Sequence, residues 1–293
     1  MHNKKLNSLI LFLFLAGILA SCSNNQDYNE EIKIFREKRI NYLKSRQGYL
    51  NLVGLHWIFN DSYTLGSSQE NNLLFPKGFP SNFGKINLTN DSIKFTFEMP
   101  VLVDSSKTLL SYNYSKDNLD HNFSWRSFQW YVIKRGQNYA LRIKDFENYL
   151  ITEIDKIPAF TIDTSWVING VFKAYAQKQD RTISNIWGHA VEQPTAGIVT
   201  FKHAGQIYEL ESNIESGKLA VIFKDATTGN ETYSGGRQLY LSKPDEDQKV
   251  ILDFNKSFNF PCAFNNFTTC PVPPERNHLP FQILAGEKRY IKK

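Results

Sequence analysis

A period-two alternation of apolar and polar residues constrains the fold of this chain more than any other feature of its sequence. In Ser92–Glu98, the side chains of Ile93, Phe95 and Phe97 would lie on one face and polar side chains on the other. Such alternation indicates a half-buried strand. Three later alternating segments turn back on themselves, at Arg135–Gly136, Ala204–Gly205 and Asp225–Asn230. Short strands joined by hairpin turns predict a mainly β fold, either an antiparallel barrel or a sandwich.

Two further segments refine this pattern. Trp166–Ala176 also alternates, and Gly170 within it predicts a bend or bulge in a strand. Ahead of the strands, apolar residues recur at helical spacing from Glu30 to Arg46, with Asn29 as a cap. This segment predicts an N-terminal amphipathic helix that packs across a sheet, and a position on a lipid surface is the alternative.

The first 22 residues predict export and a lipid anchor. Lys4 and Lys5 precede an apolar run, Leu9–Leu19, that is too short to span a bilayer. Small residues then lead directly to Cys22. The pattern resembles a bacterial lipoprotein signal peptide over residues 1–21, which implies that Cys22 carries diacylglycerol and further acyl chains such as palmitate. The expected location is the cell envelope, on the extracytoplasmic side of a membrane, with residues 22–29 as a polar tether.

Length and charge limit the classes of partner. The chain has 293 residues, of which 41% are hydrophobic, and no linker or repeat divides it. We therefore expect residues 30–293 to form a single β-rich domain. The formal net charge is +5, and the basic residues are spread without a block, so the sequence offers no argument for nucleic acid. No motif indicates a cofactor, and protein partners cannot be named from the sequence.

The segment Phe258–Asn277 contains two cysteines, Cys262 and Cys270, which could be metal ligands, a nucleophile with its partner, or a disulfide. Their spacing is wider than that of a zinc knuckle, although Glu275 and His278 follow. A nucleophilic cysteine would need a base such as His278 nearby in space. A disulfide is favoured, because exported thiols meet oxidising conditions and because the prolines of this segment cannot donate ladder hydrogen bonds. Buried free thiols are the main alternative. No metal is expected.

The C-terminal part of the chain resembles a known family. The stretch Leu252–Lys288, with its Cys-Pro-Val-Pro-Pro segment, is similar to the prokaryotic Domain of Unknown Function family 1684. Three upstream stretches extend the resemblance over nearly all of the chain after the tether; they are Gly48–Ile58, Tyr139–Asp145 and Phe223–Leu239. The resemblance implies no activity, because the family is uncharacterised.

Candidate site residues cluster in two loops. The hairpin loop carries Asp225, Tyr233 and Arg237, which could hold an anionic or sugar ligand, and the proline segment adds Asn255 and Asn277. Asp and Arg side chains that cap turns and pair internally are the alternative interpretation.

Other candidates are weaker. Asp253 and Glu287 are the candidates for a general acid or base, with internal hydrogen bonds to loop backbone as the alternative. His56 lies between apolar residues and is interpreted as a core histidine rather than a base.

The sequence leaves three functional hypotheses. The first is a membrane-tethered lipoprotein that binds a small molecule or an envelope glycan, with the two loops at the mouth of a pocket. The second is an envelope hydrolase built from scattered acids, and the third is a structural or assembly factor. No nucleophile elbow, metalloprotease helix, phosphate-binding loop or dinucleotide fingerprint is present, so whether the protein is an enzyme stays open.

Overall fold

The computed structural model describes residues 26–59, 61–89 and 92–291. It confirms a mainly β fold with one N-terminal helix. Within the described residues, the strands form two curved sheets, one nearly closed and barrel-like and the other a half-barrel. The predicted signal peptide and Cys22 lie outside the described residues.

The first sheet contains nine strands among the described residues. They are β1 Leu52–Ile58, β2 Ser62–Gly66, β3 Leu73–Leu74, β4 Gly84–Leu88, β5 Ser92–Val103, β6 Lys107–Ser115, β7 Phe123–Trp125, β8 Phe128–Arg135 and β9 Asn138–Asp145. All of their pairings are antiparallel except that of β2 with β3. Aromatic side chains, including Phe83, Phe95, Phe123 and Trp130, fill the interior.

The second sheet contains seven strands of the described chain, all antiparallel, in the order β15-β10-β11-β12-β13-β14-β16. They are β10 Val167–Ser184, β11 Ala190–His203, β12 Gln206–Glu215, β13 Lys218–Phe223, β14 Arg237–Tyr240, β15 Lys249–Asp253 and β16 Phe258–Asn259. A separate apolar core, which includes Phe201, Phe223 and Phe254, covers its concave side.

The predicted hairpins are confirmed. β8 pairs with β9, β11 with β12, and β13 with β14, and Ser92–Glu98 lies within β5. A bulge at Gly170 is wrong, because Gly170 pairs in register with Phe201, and the irregularity of β10 falls between Ala174 and Gln179. A Cβ atom at Gly170 would lie 2.7 Å from Leu252 Cδ1, so the glycine permits close packing against a neighbouring strand.

The N-terminal helix, α1, covers residues 26–44 of the described chain. Its buried residues include Ile32 and Leu43, and Leu43 packs against Phe264 of the cysteine segment in a small third core. Two of its arginines donate to backbone carbonyls of the C-terminal half, Arg36 to Phe160 and Arg39 to Asn259. The helix therefore packs on the protein, as the apolar spacing predicted.

Short helical segments connect the strands. They are α2 Leu150–Glu153 and the single 3-10 turns Thr164–Trp166, Phe254–Lys256, Pro261–Ala263 and Glu275–Asn277. Within the described ranges, no helix combines the length and the apolar character that crossing a membrane requires.

His56 predicts a dependence of stability on acidity. It lies on β1 beside Phe75, with 6.2 Å between the ring centroids, and burial lowers its pKa. Its contribution to stability is therefore complete above the ordinary pKa of about 6.5 and is lost as the pH falls through the lower folded value. Between about pH 7.5 and pH 5, we expect the melting temperature of His56→Gln to fall less than that of the wild-type protein. Equal losses of melting temperature in both proteins would contradict this role.

Candidate functional site

The hairpin residues Asp225 and Arg237 form a fully buried ion pair. Arg237 Nη2 donates to Asp225 Oδ2 at 2.5 Å and to the carbonyl of Ile283 at 3.1 Å, and Arg237 Nη1 donates to the carbonyl of Ala285. Asp225 also accepts from the backbone N–H of Thr227 at 2.6 Å. The pair thus attaches the C-terminal segment to the β13–β14 hairpin, and both side chains are engaged within the protein.

The two candidate asparagines are also held internally. Asn277 accepts from the backbone N–H of Glu211 at 2.7 Å and donates to the carbonyls of Glu211 and Ile222, both at 2.8 Å. It lines a cavity of only about 10 Å³, which holds at most a water molecule. Asn255 donates to Tyr28 of the helix and to the backbone of Asp163.

The two candidate catalytic acids lie against α1. Asp253 accepts from the Tyr28 hydroxyl at 2.7 Å and pairs with Lys256 at 3.0 Å. Glu287 accepts from the Asn259 backbone at 2.7 Å and pairs with Arg39 at 3.3 Å. Burial raises the pKa of Glu287, against the opposing effect of Arg39. Each carboxylate therefore links the helix to the C-terminal segment.

The cysteine segment, Phe258–Asn277, contributes Phe260, Cys262 and Cys270 to a small buried cluster, and Tyr233 packs against this cluster. The Sγ atoms of Cys262 and Cys270 lie at disulfide distance. Trp187 Nε1 donates to the carbonyl of Thr268 at 2.8 Å. The described residues contain no group of three or more His, Cys, Asp or Glu side chains that could hold a metal ion. The segment presents Thr269 to the first sheet, where its hydroxyl accepts from Arg135.

A cleft of about 300 Å³ lies where the first sheet, the second sheet and the cysteine segment meet. Arg135 of β8 and Arg142 of β9 line one side, and residues of β12 and β14 line the other. Polar side chains from the second sheet and the cysteine segment complete it; they are Gln193, Asn213, Glu215, Gln238, Thr268 and Thr269. The cleft therefore lies between the cysteine segment, which the sequence indicated as a candidate site, and strands in which the sequence indicated no cleft residue.

The two arginines of the cleft lack an acidic partner. Arg142 is 7% exposed and its Nε has no hydrogen-bond partner. Arg135 Nε donates to Thr269 Oγ1 at 3.0 Å, and Arg142 Nη2 reaches the same hydroxyl only at 3.5 Å. None of the ion pairs of the described chain includes either guanidinium. Burial, and then the charge of Arg142, lowers the pKa of Arg135. The cleft therefore presents two guanidinium groups that have no direct acidic partner among the described residues.

Sequence reasoning missed both arginines. Arg142 lies in the stretch Tyr139–Asp145, which contributes to the family resemblance and to a predicted hairpin. On β9 it alternates with the core residues Leu141 and Ile143, so an outward position in solvent would be the ordinary expectation. A basic residue at mid-strand between two apolar residues is the signal that could have found it.

Fold and cleft together define a mainly β protein of two curved sheets with a polar, arginine-lined cleft between them. Residues 152–288 match the family described as Protein of unknown function (DUF1684). This match confirms the predicted resemblance over residues 152–288. The match includes the second sheet and the cysteine segment, whereas Arg135 and Arg142 precede it.

Two other comparisons add little. The solution NMR structure of an uncharacterized protein of Haloarcula marismortui is similar at 25% sequence identity, with a TM-score of 0.40. The similarity covers 47% of this chain and 78% of that one. No curated protein matches this chain.

Proposed function

We propose that this protein is a membrane-tethered envelope lipoprotein that binds a small organic anion in the cleft between its sheets. The observation that carries the proposal is the buried Arg142, whose Nε has no partner and whose guanidinium forms no ion pair among the described residues. A buried charge without a partner is costly. An anionic ligand would supply the missing partner.

The chemistry of the cleft favours a carboxylate or a phosphate. Guanidinium groups bind these oxyanions through two parallel hydrogen bonds, which gives both affinity and orientation. Arg135 lies beside Arg142, so one oxyanion can contact both. Phe260, Ile222 and Pro261 contribute apolar surface, and this mixture of apolar walls with a few polar groups is typical of small-molecule sites.

The membrane tether of the proposal is supported by the sequence of residues 1–29. Two or more acyl chains on Cys22 would hold the protein at a membrane. Export would also favour oxidation of Cys262 and Cys270, whose sulfur atoms lie at bonding distance. We expect Cys22→Ser to move the protein from the membrane fraction of its host to the soluble fraction. Retention of that variant in membranes would contradict the lipid anchor.

Removal of the Arg142 charge tests the binding function. We expect Arg142→Gln to weaken anion binding by about 10- to 100-fold, or about 1.4–2.7 kcal/mol. We also expect the free protein to keep or gain stability, because the variant removes an uncompensated buried charge. Calorimetry and thermal unfolding with phosphate, sulfate, citrate, glucuronate and glucose 6-phosphate measure both effects.

Lys94→Gln is the matched control for this test. Lys94 is an exposed residue of β5. Its substitution by Gln also removes one positive charge, but it should leave anion binding unaltered because exposed charges are screened. The proposal fails if no anion of the panel binds wild type, or if Arg142→Gln binds as well as Lys94→Gln. A loss of stability in Arg142→Gln would instead indicate a structural role.

The other two hypotheses gain no support from the described contacts. A hydrolase that uses Asp253 or Glu287 would need those carboxylates to reach a substrate, and both contact α1. An assembly factor would need a surface that binds a protein partner, and no contact of the described residues indicates such a surface.

A further inference from the structure

A second cavity, of about 520 Å³, adjoins the arginine cleft on the side of α1. The two cavities share four lining residues, Tyr49, Glu215, Gln238 and Pro261. We infer that they form one extended site for an acidic saccharide of at least two rings. Its acid group contacts Arg135 and Arg142, and its next ring packs against aromatic side chains beside α1. This inference rests on the proposed function and names its ligand class.

The residues that the two cavities share include one carboxylate, Glu215. Glu215 accepts a hydrogen bond from the Gln238 side chain, and both of these residues line both cavities. Burial, and then the charge of Glu215, raises the pKa of Tyr240 to about 12. Burial raises the pKa of Tyr49 to about 12, with a minor contribution from Glu215. A carboxylate thus stands at the junction of the two cavities.

A carboxylate at this junction selects for hydroxyl groups. An ionised carboxylate only accepts hydrogen bonds, whereas the Gln238 amide both donates and accepts. Sugar hydroxyls match both groups, but a second phosphate or carboxylate at this position would be repelled by Glu215. The order of groups along the site therefore favours one acidic group followed by a hydroxylated segment, and it disfavours a uniformly charged polyanion.

The second cavity supplies aromatic surface for a sugar ring. It is lined by aromatic side chains from α1, from β14 and from β16, which are Phe35, Tyr42, Tyr240 and Phe258. Tyr42 is 44% exposed, and tyrosine combines an apolar ring with a hydroxyl that can remain in contact with water. Lys38 and Lys218 also line this cavity, so an acid group farther along the saccharide would be tolerated there.

Binding of galacturonate and glucuronate, and of dimers in which one of them is joined to a neutral sugar ring, tests the inference by calorimetry on the mature protein. We expect a dimer to bind about tenfold more tightly than its monomer, because the second ring adds contacts. Tyr42→Ala should reduce this ratio toward one. Arg142→Gln should weaken monomer and dimer alike. Tyr42→Phe, which keeps the ring, should preserve most of the ratio.

The outcomes separate the two proposals. Equal affinities for monomer and dimer, or a dimer advantage that survives Tyr42→Ala, would overturn the extended site and leave anion binding in place. Binding of small anions without binding of any acidic saccharide would also overturn it. A neutral disaccharide that binds as tightly as the acidic dimer would have the same effect. Failure of every anion to bind in an Arg142-dependent way would refute the proposed function itself.

Discussion

Arg237→Met is expected to lower the free energy of unfolding by about 3–5 kcal/mol, because it leaves the Asp225 carboxylate buried without its counter-charge. Both side chains are 1% exposed or less, so water cannot replace the guanidinium. The variant also removes the donor to the carbonyls of Ile283 and Ala285, and unsatisfied buried carbonyls add to the loss. Chemical unfolding followed by fluorescence measures the effect.

A double variant separates the ion pair from simple packing. Asp225→Leu with Arg237→Met removes both charges, so it should recover part of the stability that Arg237→Met loses. Additive losses in the two single variants and the double variant would show that the charges are not coupled. A loss below about 1 kcal/mol in Arg237→Met, within the range of ordinary substitutions, would contradict the structural role of the pair.

Gly286→Ala is expected to lower stability by about 3–5 kcal/mol, because both the backbone conformation and the surrounding atoms oppose a side chain. Gly286 has φ of +80°. A Cβ atom there would lie 2.1 Å from Ser257 Oγ and 2.6 Å from the Ser257 carbonyl oxygen. The adjacent Glu287 donates its N–H to that carbonyl at 2.9 Å, so relief of the clash would break a further contact. Thermal and chemical unfolding measure the loss.

Gly229→Ala is the matched control for Gly286→Ala. Gly229 has φ of +88°, but no atom lies within 4 Å of the position of an added Cβ. Its substitution should therefore cost only the left-handed backbone conformation, about 1–2 kcal/mol. The difference between the two variants isolates the steric contribution. Equal losses in both would show that the segment around Ser257 can move without cost.

The family-matched segment is thus fastened by contacts that involve its most distinctive residues. Arg237 binds the backbone of residues 283–285, Glu287 accepts from Asn259, and Asn277 links β12 with β13. Their assignment as ligand or catalytic residues stays a prediction. Their observed contacts provide a physical reason for these residue types, because buried loop backbone needs hydrogen-bond partners.

The sequence alone was sufficient to predict several of the strands, three hairpins, the N-terminal helix and the proximity of the two cysteines. Each of these depends on local order along the chain. Alternating side chains point to opposite faces of a strand, and a two-residue turn brings its flanking strands together. The cysteines are only eight positions apart, so a single loop can close between them.

Only the tertiary structure decided that the β segments form two separate curved sheets and that a cleft lies between them. Arg135 and Arg142 belong to the first sheet, whereas Glu215 and Gln238 belong to the second. No spacing in the sequence relates these pairs. Their convergence depends on which outer face of one sheet packs against the other, and period-two patterning specifies only which side of each strand faces its own core.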